Sequence, residues 1–396
     1  MDNDLKDCQV LILGAGAIGL TLAYELACRG QRVTVIERDS LPETIDGTTI
    51  QRYASSWAAS GILPPANFQT ATDPIDQLRG LSHRQFPDLA GRLLGETGID
   101  CELDRCGGWY LADTVGEIAS MTGMVSYWRE LEIECVPVDP SELAEREPGL
   151  ANWSSQRSAR AWWVADEYQL HTPRFLSALT QACRGRGVRL IDQCELVSFD
   201  ENDNQVVGTT RRGDSVDTFI AQQIALCGGV WTGLIQARMR LAESLVPVRG
   251  QIVLLKPPRR LFSSIVNLGH RYFVPRRDGH LLVGSCEEEV GFQSGTTDAV
   301  LDDLRAFARQ ICPQLSDARE VMSWSGLRPM TFDGFPMIGR MPGSQRVFVA
   351  AGHFRSGVHL APGTASCLAD VMLGQTPIMS LDAFRVGKQQ SHAGPI

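Results

Sequence analysis

The strongest constraint on this chain is a short apolar strand that runs directly into closely spaced glycines. Val10-Leu11-Ile12-Leu13 is continuously apolar, the pattern of a strand buried on both faces. Gly14-Ala15-Gly16-Ala17-Ile18-Gly19 follows at once, and helical spacing begins inside it with Ile18, Leu22 and Leu26. Gly30 stands where a helix C-cap belongs, and a second strand over 32–36 ends in Glu37. Each residue type has a reason to be there. Gly14 permits a tight turn, Gly16 removes a side chain where a pyrophosphate approaches, and Gly19 lets helix pack on strand. The helix N-terminus offers free N–H groups and the positive end of its dipole to an anion. Glu37 can accept hydrogen bonds from a ribose. Strand, glycines, helix, strand and terminal acid in this order predict a Rossmann-type dinucleotide site. An acid at this position suits NAD and FAD alike.

The 396 residues suffice for one large domain or two intertwined ones. With 37 basic and 46 acidic side chains the net charge is -9, which argues against nucleic-acid binding. The eleven cysteines include no CxxC pair, so reduced cytoplasmic thiols are expected and no metal site is. The run 10–27 is long enough for a membrane span, but the glycine spacing accounts for it better, so no membrane association is expected. Met1-Asp2-Asn3-Asp4 has no basic segment of the kind that opens a signal peptide.

Further along, 39–53 reads as a loop, and the small residues from Ala54 to Gly61 permit close approach to something flat or bulky. Helices are expected over 75–86, 91–97, 118–131, 298–312 and 362–373. Another is expected over 174–184, with Thr172 as its cap and Pro173 at its first position. Strands are expected at 108–111, 188–191, 224–226, 251–255, 271–275, 280–284 and 346–351, with Asp278-Gly279 as a hairpin turn. Cys227-Gly228-Gly229 is a second glycine turn after a buried strand. The chain thus leaves a Rossmann-like domain, builds a β-rich one and returns. Trp153, Trp162 and Trp163 are expected to pack in a core or interface, and His171 to be structural.

Several segments together resemble the D-amino-acid oxidase superfamily of flavoproteins, most closely its bacterial glycine oxidases linked to thiamine synthesis. They are Gly14–Gly19 with Glu37, Ala59-Ser60-Gly61-Ile62-Leu63, Pro247-Val248-Arg249-Gly250-Gln251, and Tyr272-Phe273-Val274-Pro275-Arg276 with Asp278-Gly279. Gly326-Leu327-Arg328-Pro329, the run from Asp333 to Gly339, and Gly352-His353-Phe354-Arg355-Ser356-Gly357 complete the set. The resemblance implies an α/β fold: a discontinuous, glutathione-reductase-like Rossmann-type FAD-binding domain plus a β-rich antiparallel substrate domain. Segments 1–85, 150–235 and 322–396 would form the first, and 86–149 and 236–321 the second.

It also implies non-covalent FAD. Of the cofactor-binding turn residues Gly14, Gly16, Ala17, Ile18 and Gly19, Ala17 and Ile18 would meet the pyrophosphate, with Glu37 and Arg38 on the adenosine side. Ser55, Ser56, Ser60, Gly61 and Ile62 would line the ribityl and flavin region, with a backbone contact near Leu196 and the turn at Gly228. Gly352, His353, Phe354, Arg355, Ser356, Gly357, Val358 and His359 would wrap the flavin edge. Arg328, whose planar fork matches a carboxylate, would anchor the substrate, with Tyr272 and Arg355 beside it. Hydride would pass from the substrate Cα to flavin N5 with no side-chain base, and dioxygen would then be reduced to hydrogen peroxide. Sarcosine or a D-amino acid as substrate, another electron acceptor, or a role in maturing another polypeptide are the alternatives. Ile62 stands where some relatives have methionine, and His270-Arg271 adds charge beside Tyr272. The resemblance also implies a homo-oligomer, a tetramer in the family's manner.

Overall fold

A computed structural model of the chain describes residues 8–41, 54–235 and 245–387. The expected segment ends at 1–7, 236–244 and 388–396, and most of the expected loop at 39–53, lie outside those residues.

The first sheet grows outward from strand Cys8–Leu13, which pairs in parallel with Val33–Ile36 on one side and the end of Ser215–Leu226 on the other. Arg189–Ile191 extends one side in parallel. Val347–Ala351 extends the other in parallel, with Met337–Arg340 antiparallel at the edge. Ser215–Leu226 spans two ladders, because its first half pairs with the hairpin of Glu195–Glu201 and Val206–Arg212. Helices Ala17–Cys28, Pro74–Thr97, Thr172–Gly185 and Ala361–Met372 pack together in the main core, burying Leu22, Leu26, Phe175 and Leu368.

The second sheet has eight strands, in the order Arg319–Thr331, Leu245–Lys256, Leu281–Gly284, Arg271–Pro275, Ile265–Leu268, Gly108–Ala112, Arg160–Val164 and Val136–Val138. All neighbours are antiparallel except Ile265–Leu268 with Gly108–Ala112, which run parallel. The expectation of an antiparallel sheet is corrected at that pair. The two strands come from separate passes of the chain, and only such a distant connection can return a parallel neighbour. Helix Asp298–Ile311 covers one face, where Phe273 stacks between Phe262 and Phe307 at 5.1 Å from each.

Three elements cross the expected boundaries. Arg160–Val164 and Arg319–Thr331 belong to the second sheet, although 150–235 and 322–396 were assigned to the first domain. Helix Pro74–Thr97 runs unbroken through position 85, joining the two short helices expected on either side of Pro87. An internal proline costs about 3 kcal/mol. The helix nonetheless buries Leu78, Leu81, Phe86, Leu89 and Leu93 in the main core, each worth about 1.5–3 kcal/mol, so packing wins. Thr172 is also not the cap of its helix. His171 Nδ1 accepts from the Arg174 N–H, and the Thr172 hydroxyl instead donates to the Ala59 carbonyl at 2.9 Å. Trp153 is fully buried in the core of the second sheet, and its indole N–H donates to Asp113 at 2.9 Å.

Candidate active site

A cavity of about 530 Å³ is lined by residues from both sheets. At one end stands the first glycine turn. Gly14 has φ +100°, and a Cβ there would lie 2.6 Å from the Cys227 carbonyl oxygen. A Cβ on Gly19 would lie 1.9 Å from the Gly14 carbonyl oxygen, so helix and strand touch through backbone. Gly16 begins the helix without a side-chain cap, and the Ala17 N–H donates to Ser56 Oγ at 2.9 Å. The Glu37 carboxylate accepts from the N–H groups of Ala15 at 2.7 Å and Asp39 at 3.0 Å. It therefore braces the turn as well as facing the cavity. The Arg38 guanidinium lies over the Trp231 ring, 4.7 Å from its centre.

The middle of the cavity is formed by the small-residue segment, which is pinned from both domains. Ser55 donates to the Leu327 carbonyl, and the Trp324 indole donates to the Ala58 carbonyl at 3.1 Å. Arg276 is buried and donates to the carbonyls of Ser60 at 2.7 Å and Leu170 at 3.0 Å. Burial pulls its pKa down to about 10, so the cation remains at neutral pH with its charge spread over backbone dipoles.

The turn before helix Ala361–Met372 lines the far side. His353 is buried and bonds Thr364 Oγ1 at 3.1 Å; burial holds its pKa down to about 3, so the ring is neutral. His359 is likewise kept neutral by burial. Its Nε2 contacts His83 Nδ1 at 3.3 Å, and His83 Nε2 contacts Asp166 at 3.1 Å.

Arg328 and Tyr272 each lie on a glycine. A Cβ on Gly250 would sit 2.2 Å from Arg328 Nη2, and one on Gly284 would sit 2.4 Å from Tyr272 Cζ. These glycines occupy adjacent strands, Leu245–Lys256 and Leu281–Gly284, so two missing side chains open a floor for a guanidinium and a phenol. Arg328 Nη1 donates to the Cys286 carbonyl at 2.9 Å and Nη2 to Ser285 Oγ at 2.7 Å. No other partner takes up its fork among the described residues. Arg355 is ion-paired with Glu287.

Most of the expected residues line this cavity, including Ile18, Ser60, Ile62, Leu196, Gly228, Phe354, Ser356, Gly357 and Val358. Gly19, Gly61 and Gly352 are not among its lining residues. A Cβ on Gly61 would meet the Leu170 carbonyl oxygen at 2.0 Å, and one on Gly352 would meet Thr331 at 2.3 Å, so these glycines permit close packing behind the cavity wall. Sequence reading missed Trp231, Asn267, Ser285 and Cys286, which also line it. The available signal was a glycine inside each strand pattern, at Gly250 and Gly284, which marks close approach by another group.

The donor set fits FAD. Gly16 leaves a cradle in which a Cβ would come within 3.2 Å of Ser56 Oγ, at an uncapped helix N-terminus suited to a pyrophosphate. Glu37 suits a ribose. A dinucleotide cradle continuous with an arginine on a sheet floor is the arrangement of a dinucleotide-dependent oxidoreductase.

The chain belongs to the DAO family, the FAD dependent oxidoreductases, whose family model matches residues 9–371. It is 33% identical over 373 residues to the glycine oxidase of Pseudomonas aeruginosa, covering 94% of this chain and 96% of that one. The crystal structure of glycine oxidase from Geobacillus kaustophilus superposes with a TM-score of 0.87 at 29% identity, covering 97% of this chain and 99% of that one. The bifunctional protein ThiO/ThiG of Nostoc is 27% identical across 98% of this chain, which spans 56% of that protein's length. Among the described residues no helix is long and apolar enough to cross a membrane.

Proposed function

We propose that this enzyme oxidises glycine or a similarly small amino acid, with Arg328 as the carboxylate anchor. The overall change is glycine, dioxygen and water to glyoxylate, ammonia and hydrogen peroxide. One observation carries the reading: a largely enclosed guanidinium on a glycine floor keeps part of its fork free at the cavity end next to Tyr272. A planar fork of this kind matches a carboxylate bidentately, and the small floor suits a substrate with little or no side chain. Similarity to glycine oxidases supports the choice of substrate.

FAD would be held non-covalently by the helix N-terminus at Ala17 and Ile18, by Glu37 and Arg38, and by the segments around Ser60 and His353. When bound, it supplies the acceptor for a hydride, with its two electrons, and passes those electrons to dioxygen. The chain's own task is positioning. Arg328, steered by Ser285 and the Cys286 carbonyl, fixes the carboxylate, and this sets the direction of the Cα–H bond. Tyr272 donates to the same carboxylate, and neutral His353 keeps an extra charge away from the flavin edge. No side chain abstracts the Cα proton, so orientation and electrostatics supply the rate. The oxidised imine hydrolyses in water, or serves thiazole formation as glycine imine. The reading includes a cytoplasmic homo-oligomer, and the eleven free cysteines are in keeping with a reducing compartment.

The test is anaerobic bleaching of the flavin by glycine, sarcosine and D-alanine, followed by admission of air. Bleaching by glycine with peroxide formed on reoxidation supports the reading, and a flavin unaffected by all three amines sinks the substrate assignment. Replacing Arg328 with alanine should cost about 2–5 kcal/mol of carboxylate binding. Unchanged glycine kinetics in that variant would refute the anchor.

A further inference from the structure

The segment Ser285-Cys286-Glu287-Glu288 engages three arginines. Ser285 and the Cys286 carbonyl hold Arg328, Glu287 holds Arg355, and Glu288 holds Arg249 at 2.9 Å. The Arg249–Glu288 pair is largely buried, and Glu288 also accepts from Gln251 at 2.7 Å, so that pair is part of the fold. The Arg355–Glu287 pair differs: its side chains are 46% and 39% exposed, and Arg355 lines the cavity. Arg328 and Arg355 lie close enough to influence each other electrostatically, and Glu287 acts on both. Arg271, also on the cavity, is ion-paired with Asp303. Two guanidinium groups at one cavity end would suit a dicarboxylate. Glu287 removes one of them from use and leaves a net charge of one positive unit for the substrate.

We propose that Glu287 is a specificity residue: by occupying Arg355 it restricts the site to amino acids with one carboxylate and rejects those with a second. The inference rests on the reading of Arg328 as carboxylate anchor. A dianion entering the cavity can pair one carboxylate with Arg328, but its second meets the Arg355 guanidinium, which lines the cavity with its charge already neutralised by Glu287 behind it, so the second anion gains no net charge to offset its desolvation. Glycine and N-alkyl glycines have no second anion and are unaffected by it.

The experiment measures binding by perturbation of the flavin spectrum, without turnover. Acetate, monomethyl malonate and malonate are titrated into the FAD-loaded wild type, Glu287→Gln and Glu287→Asp. The monoester matches malonate in bulk with one charge fewer, which separates charge from size. The wild type should bind malonate more weakly than its monoester. Glu287→Gln should shift the malonate-to-monoester ratio of dissociation constants about tenfold toward malonate, and Glu287→Asp should keep the wild-type preference. An unchanged ratio in Glu287→Gln overturns the proposal. A shift shared equally by all three anions overturns it too, because Glu287 would then act on the whole pocket. If acetate fails to perturb the wild-type flavin, the anchor reading falls first and this inference with it.

Discussion

Glu167 is fully buried behind Asn267, which lines the cavity, and its charge state should govern much of the protein's stability above pH 5. One carboxyl oxygen accepts from the Asn267 side-chain amide at 3.2 Å, and the other has no partner. The unpartnered oxygen is packed against Gly108, where a Cβ would lie 2.1 Å away. Burial dominates and raises the pKa from 4.5 to about 7, while the polar groups of Tyr110 and Asn267 beside the carboxyl oppose the rise. The folded state therefore keeps its proton over a range where the unfolded chain has lost it. The stability this provides is complete below pH 4.5 and is lost as pH rises toward 7. At about 1.4 kcal/mol per pH unit, the full interval is worth about 3 kcal/mol. Glu167→Gln replaces the group with a neutral one of the same shape. Its amide oxygen still accepts from Asn267, and like the protonated acid it carries no charge. The variant should match the wild type near pH 5 and exceed it by about 2–3 kcal/mol at pH 8. Urea unfolding across that pH range, with wild type and variant side by side, cancels every other titrating group. Parallel stability curves would show that Glu167 is ionised in the fold at neutral pH, and the burial argument would be wrong.

Glu37→Ala should weaken FAD binding about 10- to 100-fold, since charge-assisted bonds contribute about 1.5–3 kcal/mol and the carboxylate also braces Ala15; fluorescence titration of the apoprotein with FAD measures this. Gly250→Ala should leave the fold intact but push the Arg328 guanidinium aside, weakening acetate binding to the flavoprotein about tenfold or more; unchanged acetate affinity would mean that the floor is not needed. His353, held neutral with a pKa of about 3, should make stability fall as pH drops below 6.5, by up to about 1.4 kcal/mol per pH unit. His353→Gln should flatten that slope in urea unfolding.

The local grammar of the chain was legible in its sequence wherever short-range chemistry decides. The strand-glycine-helix unit at Cys8–Cys28 could be read directly, because positive φ at Gly14 and backbone contact at Gly19 demand glycine whatever surrounds them. The hairpin at Asp278-Gly279 was equally plain, since Gly279 has φ +85° and its N–H closes the turn on Arg276. Periodicity located most strands and helices, and the family motifs named Arg328 and Tyr272.

What the sequence could not settle depends on residues distant in the chain. Helix Pro74–Thr97 continues past Pro87 because helices Thr172–Gly185 and Ala361–Met372 bury its apolar face, a gain no local window contains. Strand Arg160–Val164 belongs to the second sheet because Gly108–Ala112 offers an edge there, although its neighbours in sequence lead back to the first. Thr172 reads as a cap but spends its hydroxyl on Ala59, so His171 takes the capping role. The pairing of Glu287 with Arg355 and the burial of Glu167 against Gly108 leave no mark on spacing or composition. The sequence by itself determined that a dinucleotide cradle is present, and its family motifs pointed to Arg328. Only the tertiary structure decided which charges face one another across the cavity, because Coulomb interactions and desolvation depend on distance through space and not along the chain.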